Sequence, residues 1–467
     1  MADNFARRLE ATSRRIPDKP ALVWDGGALT FGELDRRATA LAELLAGRGV
    51  KAGDRIALTI GNHWAFAVAL LAGWKLGATV APLEPLLKED ERAAILADLT
   101  PAALVVEADA AEVGRSGADR LGRRSGNAES GGAAGALVLY TSGSTGRPKG
   151  ALLSHAALEL AIESWAGPVM ALTPGDVVLA TLPLAHSFGV NGALLAPLLV
   201  GATVALVERF APDRVLAAIS SHRVTVFPGV ATMFRRLLDV PELAAGDLGS
   251  VRIAVSGAAP CPWELAARWR DRTGIRIVRG YGMTELFRPI SYQAANPHES
   301  PDAIGWPVPG VEIRIVEDEL WIKSPSAMDA YINAPDETRE VLVDGWFRTG
   351  DLAAVDADGL VTIVGRKRER ILRGGYSVFP PEVEAVLLAH PAVAEAAVLA
   401  MPHPELGEDV AAFVALRPDC AATVEELIAH CRDRLAAFKY PRRLVVLDAL
   451  PKSPTGKVLK AKLSPRL

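Results

Sequence analysis

The sequence predicts an α/β protein, on three observations. Apolar, β-rich runs alternate with helical patterns through the first three quarters of the chain. A glycine- and hydroxyl-rich loop follows directly on one of those runs, and a densely charged segment near residue 366 precedes a stretch with strands and helices of its own. Alternation of this kind builds parallel sheets covered by helices.

The series Arg55 to Ile60, Trp64 to Leu76 and Ala78 to Ala81 is typical, reading as strand, helix and strand. From Ala110 to Gly135 no hydrophobic period is present, which predicts a surface connection or a mobile loop. Ala136-Leu137-Val138-Leu139 reads as a buried strand leading into the loop, which is followed by a short strand, Ala151 to Leu153, and a helix capped by Ser154. From Val177 to Val207 the one ionisable residue is His186, a run long enough to raise a membrane span. Pro183, Gly189, Gly192, Pro197 and Gly201 interrupt it, so a strand, a loop, a buried helix and a second strand are expected instead. Beyond Gly374-Gly375 come a helix from Pro381, strands near Ala394 to Ala400 and Val410 to Leu416, and a helix from Val424 to Ala437. That suffices for a separate domain, and the expected division is 1–366 and 367–467.

Composition narrows the chemistry. The 467 residues, half of them hydrophobic, can build a large core. Lys and Arg number 51 against 55 Asp and Glu, a net charge of −4, and no basic block tracks a nucleic-acid backbone. Three scattered cysteines, Cys261, Cys420 and Cys431, suggest neither a disulfide nor a zinc framework and fit a reducing cytoplasm. The first residues carry no apolar signal core, so secretion is not expected.

The loop Tyr140-Thr141-Ser142-Gly143-Ser144-Thr145-Gly146-Arg147-Pro148-Lys149-Gly150 suits phosphate. Its glycines bring backbone N–H groups close to an anion, Thr141, Ser142, Ser144 and Thr145 add hydroxyl donors, and Arg147 and Lys149 add charge. It fails the Walker pattern, because Pro148 stands where the second glycine belongs and Gly150 follows the lysine. A solvated linker is the plainer reading, and the strand directly upstream speaks against it.

Four further segments follow in order: Gly280-Tyr281-Gly282-Met283-Thr284-Glu285, Trp346-Phe347-Arg348-Thr349-Gly350-Asp351, Gly365-Arg366 with Gly374-Gly375, and Pro451 to Lys457. Together with the loop they resemble the adenylate-forming superfamily of acyl-CoA synthetases, amino-acid adenylation domains and luciferases, and the resemblance covers nearly the whole chain. It implies a large N-terminal domain of parallel sheets with a β-barrel-like subdomain, and a small mobile α+β C-terminal domain. It also implies that a carboxylate attacks the α-phosphorus of ATP, releases pyrophosphate, and passes its acyl group to a thiol.

The resemblance assigns roles residue by residue. The loop, including Gly143 and Gly146, would hold the β- and γ-phosphates. Thr284 would donate to the α-phosphate and Glu285 would bind Mg2+, since hard carboxylate oxygens suit that ion. Tyr281, between Gly280 and Gly282, would offer a ring face to adenine. Asp351 and Arg366 would hold the ribose hydroxyls, although the first could be a turn residue and the second a surface cation. Lys457 would bridge the attacking carboxylate and the α-phosphate. Rotation of the C-terminal domain about Arg368, where the family carries Asp or Lys, would exchange Lys457 for the Gly374-Gly375 strand in the thioester step.

For the acyl pocket the resemblance points to His186-Ser187-Phe188-Gly189, Val226-Phe227-Pro228-Gly229-Val230 and Ser256-Gly257-Ala258-Ala259, small and apolar as in ligases for fatty or aromatic acids. The stretch from Val177 to Val207 holds no acid to pair a substrate ammonium, which disfavours an α-amino acid. Arg288 reads first as a surface ion-pairing residue and second as a ligand for another carboxylate or hydroxyl of the substrate. The glycine usual before Glu319-Leu320 is replaced by Asp318. CoA is the expected acceptor. A carrier-protein phosphopantetheine is the enzymatic alternative, and a nucleotide-binding relative without catalysis is the non-enzymatic one.

Overall fold

The structure, a computed structural model, describes residues 4–115, 135–142, 148–241, 243, 245–296, 298–452 and 458–463. It divides into two compact units, Met1–Glu312 with Lys323–Phe347, and Ile313–Ile322 with Arg348–Leu467.

The first unit holds two large sheets. One runs in the order Ile277–Val278, Ile253–Ser256, Val226–Gly229, Val177–Ala180, Thr203–Leu206, Pro20–Trp24, Gly27–Thr30, and all but its last pairing is parallel. The other runs Ala330–Tyr331, Pro148–Ser154, Gly135–Ser142, Thr79–Pro82, Arg55–Thr59, Ala103–Val106. Its parallel half comes from the expected strand–helix–strand series, and its other half is the antiparallel hairpin that carries the phosphate loop.

The helix Trp64–Lys75 is apolar all round, and every residue from Ala65 to Trp74 is buried, as such a pattern requires. Gly73 permits the close approach: a Cβ there would lie 2.6 Å from Val80 and 2.7 Å from Ile56. The Trp74 indole then donates to the Ala136 carbonyl at 2.8 Å, tying this helix to the base of the hairpin. The following helix, His155–Ser164, is capped by Ser154, whose hydroxyl accepts from the Ala157 amide.

The stretch from Val177 to Val207 is strand, helix and strand as expected, and among the described residues no helix is long and apolar enough to cross a membrane. Its helical part is more irregular than expected, because Gly189–Leu195 is wound as a π-helix, as is Trp165–Val169. The expectation for Ala110 to Gly135 needs correction at both ends. Ala110 lies within the helix Glu107–Arg115, and Gly135 opens a strand.

In the second unit an antiparallel sheet contains Trp346–Val355 and Val361–Arg366. A hairpin of the same sheet, Glu312–Val316 with Glu319–Lys323, turns through Glu317 and Asp318, both left-handed at φ 49° and 64°, so an aspartate adopts a conformation that glycine usually takes. A further sheet orders Tyr376–Val378, Ile371–Arg373, Gly407–Leu416 and Val393–His403, with Arg443–Leu447 added to Gly407–Leu416. The helices Pro380–Leu388 and Val424–Arg432 cover it through Val383, Leu387 and Leu427. The last helix ends five residues short of Ala437: the chain turns after Arg432, and Leu435 and Phe438 pack against the core instead.

His155 yields a test of the first unit. Its imidazole accepts the Phe5 amide at 3.3 Å and lies edge-on to Trp74, and burial lowers its pKa to about 4. The unfolded chain binds this proton below about 6.5 and the folded chain does not, so stability is full above 6.5 and declines as pH falls towards 4, by at most about 3 kcal/mol. His155→Asn keeps an acceptor and removes the titration. Denaturation midpoints between pH 7 and 4.5 should fall less steeply for this variant than for the native protein, and equal slopes would exclude His155 as the cause.

Candidate active site

In the first unit the second motif forms a tight, strained turn. Gly282 faces the Phe287 carbonyl so closely that a Cβ would lie 2.0 Å from it, and Phe287 itself sits at φ 56°, unusual for an aromatic residue. This geometry turns Glu285 inward. The residue is 7% exposed, and its carboxylate accepts a hydrogen bond from the Tyr331 hydroxyl at 2.7 Å. The Glu285 carbonyl accepts the Met328 amide at 2.7 Å.

Tyr331 also joins this turn to the phosphate-loop hairpin. The short strand Ala330–Tyr331 pairs antiparallel with Pro148–Ser154, and the Lys149 ammonium lies 5.4 Å from the Tyr331 ring centroid. Glu285 and Lys149, assigned separately from sequence, therefore meet on one tyrosine that the sequence reading passed over. Its only signal there was an aromatic side chain amid the small and polar residues after Ser324. Thr284 is half-buried on the same turn, and Tyr281 pairs with Ile290 in the adjoining hairpin. Tyr140 beside the loop donates to Asp98 at 2.7 Å, and burial together with that carboxylate raises its pKa.

No group of three or more His, Cys, Asp or Glu side chains able to hold a metal occurs among the described residues. A single inward carboxylate fits a magnesium ion whose remaining ligands are nucleotide phosphates and water, the usual way proteins hold this ion.

In the second unit Asp351 and Arg366 are cross-strand partners. The Arg366 Nε donates to Asp351 Oδ1 at 2.9 Å, and Asp351 is only 3% exposed. Glu319 supports the same turn, accepting the Gly350 amide at 3.1 Å and Lys367 Nζ at 3.3 Å. Arg368 is exposed just beyond. The expectation of a Gly374-Gly375 strand is corrected: both residues have positive φ, 55° and 86°, and form the two-residue turn between Ile371–Arg373 and Tyr376–Val378. Arg373 anchors that turn through a 2.7 Å ion pair with Asp409.

The segments expected to line an acyl pocket lie at or beside the carboxyl ends of parallel strands, where open α/β sheets bind ligands. Gly229 and Ser256 are register partners there, and Val255 pairs with Val278. His186 accepts the Phe188 amide through Nδ1. Phe227 is fully buried and packs against Phe234 and Trp269 in the core. Gly257 abuts Phe188 and Arg288, and Ala258 is exposed with its backbone left-handed at φ 63°.

The surface reading of Arg288 is wrong. The residue is 5% exposed, and its guanidinium donates to the carbonyls of Ser256 and Val278 and to the Ser291 hydroxyl at 2.8, 3.1 and 2.9 Å. It lies 5.0 Å from the Trp165 ring centroid, and burial lowers its pKa to about 9. Sequence could not place it, since an arginine in an apolar strand looks the same whether its side chain turns in or out. Gly143, Ser144, Thr145, Gly146 and Lys457 lie outside the described residues, as does the Ser142 side chain, while Thr141 is half-buried at the end of its strand.

The AMP-binding enzyme family model matches residues 9–332, and the AMP-binding enzyme C-terminal domain model matches 382–457. A feruloyl-CoA synthase from Amycolatopsis sp is 35% identical over 97% of both chains. A long-chain-fatty-acid–CoA ligase from Yersinia pestis is 31% identical over 97% of this chain and 92% of its own. Among solved structures, ATP-bound MatB from Rhodopseudomonas palustris is 29% identical, covering 99% of this chain and 98% of its own with a TM-score of 0.91. A benzoate CoA ligase from Burkholderia xenovorans LB400 is 31% identical at a TM-score of 0.89, covering 99% of this chain and 100% of its own. The chain belongs to the adenylate-forming superfamily, and within it to the AMP-forming acid–CoA ligases, with an AMP-binding domain followed by its C-terminal domain.

The Tyr331 contact is measurable in the free protein. A hydrogen bond to a charged, buried acceptor contributes about 1.5–3 kcal/mol. In a double-mutant cycle of Tyr331→Phe and Glu285→Ala, denaturant unfolding should show coupling of at least about 1 kcal/mol; additivity would mean that the two side chains do not support each other.

Proposed function

We propose that the protein is an ATP-dependent carboxylate:CoA ligase acting on a fatty or aromatic acid. The carboxylate oxygen attacks the α-phosphorus of ATP, the bond to the bridging oxygen breaks, and pyrophosphate leaves. The CoA thiolate then attacks the acyl carbon of the acyl-AMP, and AMP departs. The observation that carries this reading is the inward Glu285 carboxylate, held by Tyr331 on the strand that also flanks Lys149.

In this reading Thr284 donates to the α-phosphate, and Lys149 with the loop from Thr141 holds the departing phosphates. Glu285 would hold Mg2+, which when bound spreads the developing phosphate charge. Tyr281 stacks on adenine, and Asp351, already oriented by Arg366, accepts the ribose hydroxyls. Lys457 neutralises charge between carboxylate and α-phosphate during adenylation only. The C-terminal domain, from residue 367, turns about Arg368 and brings the Gly374-Gly375 turn into the thioester step. Three unpaired cysteines are in keeping with a cytoplasmic enzyme.

Two measurements test this reading. With ATP, magnesium and a panel of acids, pyrophosphate release should depend on the acid, and CoA should yield the thioester. Loading of a holo carrier protein without any CoA thioester would favour the carrier alternative, and nucleotide binding without pyrophosphate release would favour a non-catalytic relative. Lys457→Ala should lower adenylation by about two or more orders of magnitude while conversion of a supplied acyl-AMP to thioester persists; equal loss of both steps would contradict the separate role of Lys457.

A further inference from the structure

Among the described residues Arg288 is a cation without an anion. Its three hydrogen-bond partners are two carbonyls and a hydroxyl, and among the described residues no carboxylate forms an ion pair with it. A guanidinium has five N–H donors, so two remain for a ligand. A buried charge compensated only by neutral groups is costly and calls for a counter-ion.

The surroundings are shaped around this group. A Cβ at Gly280 would lie 2.5 Å from Arg288 Nη2, and one at Gly257 would lie 3.1 Å from Nη1 and 3.0 Å from the Phe188 ring. The carbonyls that Arg288 grips end the adjacent parallel strands Ile253–Ser256 and Ile277–Val278, so its head stands at the ligand-binding end of the sheet. Trp165 stacks on Phe188 at 5.0 Å beside Arg288, and its buried indole N–H has no hydrogen-bond partner among the described residues. Both rings border π-helical runs, a distortion common at functional sites.

We infer that Arg288 receives a second carboxylate of the acid substrate, so that the enzyme activates a dicarboxylic acid at the carboxylate remote from this residue. The inference rests on the ligase reading above and narrows its acid. Arg288 lies three positions after Glu285, which limits their Cα atoms to at most about 11 Å apart. Short or medium aliphatic diacids, and single-ring diacids able to lie against Trp165 and Phe188, are the candidates. The same cation repels an ammonium, a second reason against an α-amino acid.

The test uses matched pairs in the pyrophosphate-release assay, glutarate against monomethyl glutarate and isophthalate against its monomethyl ester. Each ester keeps the shape and loses the second charge. The native enzyme should favour the diacid of at least one pair in kcat/KM by roughly 30-fold or more, as expected where a buried charge loses its partner. Arg288→Met should bring that ratio close to one, chiefly by raising the diacid KM, and Arg288→Lys should recover part of it. Because the native ratio is decisive by itself, a Met variant that fails to fold does not remove the test. Preference of the native enzyme for the esters, for hydroxy- or keto-acids, or for plain monocarboxylates would overturn the inference and leave the ligase reading intact. An unchanged ratio in a folded Arg288→Met would reduce Arg288 to a clamp on two strand ends. Pyrophosphate release with no acid at all would defeat the ligase reading itself.

Discussion

The Tyr331–Glu285 hydrogen bond is the constraint on which the first unit's site depends. It joins three pieces that are remote in sequence: the hairpin from Gly135 to Ser154, the strained turn after Gly280, and the strand Ala330–Tyr331. Backbone bonds reinforce the connection, from Asp329 to Leu152, Ile332 to Gly150 and Met328 to Glu285. In the proposed function this carboxylate would meet a metal-bound nucleotide, and the hydrogen bond orients it beforehand, the kind of preorganisation that electrostatic catalysis needs.

The second unit uses a different device for the same end. Asp351 is oriented by a neighbour directly across a β-ladder, and Glu319 holds the turn before it through a backbone amide and a lysine. Both carboxylates are almost wholly buried, so neither moves freely with solvent. These rigid polar anchors contrast with the proposed acyl region of the first unit, where Gly257 abuts the Phe188 ring and Phe188 stacks on Trp165. Arg288 is the exception on that side, and a buried cation among rings and carbonyls discriminates between acids more sharply than an apolar wall, which separates homologues by only a few kcal/mol.

Much of this was legible in the chain. The alternation around Arg55 to Ala81, the hairpin strand before the loop, and the helix cap at Ser154 follow from periodicity and capping, which are local properties. Asp351 and Arg366 were each expected to meet one sugar, and their bond to each other across the ladder is visible only in the structure. Tyr331 and the burial of Arg288 were not legible, because each depends on contacts across large sequence separations, 46 residues to Glu285 and 32 to the Ser256 carbonyl. The glycine pair at 374 and 375 was misread as strand because its neighbours are strands; positive φ at both positions makes it the turn.

The proposed metal–nucleotide interaction falls on Glu285, and among the described residues no group of three or more His, Cys, Asp or Glu side chains could hold a metal in its place. Calorimetric titration of ATP into the native protein and Glu285→Gln, each with and without magnesium, tests it most directly. Magnesium should tighten ATP binding to the native protein and have little effect on Glu285→Gln, whose magnesium-free affinity stays the same or rises. The same gain from magnesium in both proteins would contradict the account.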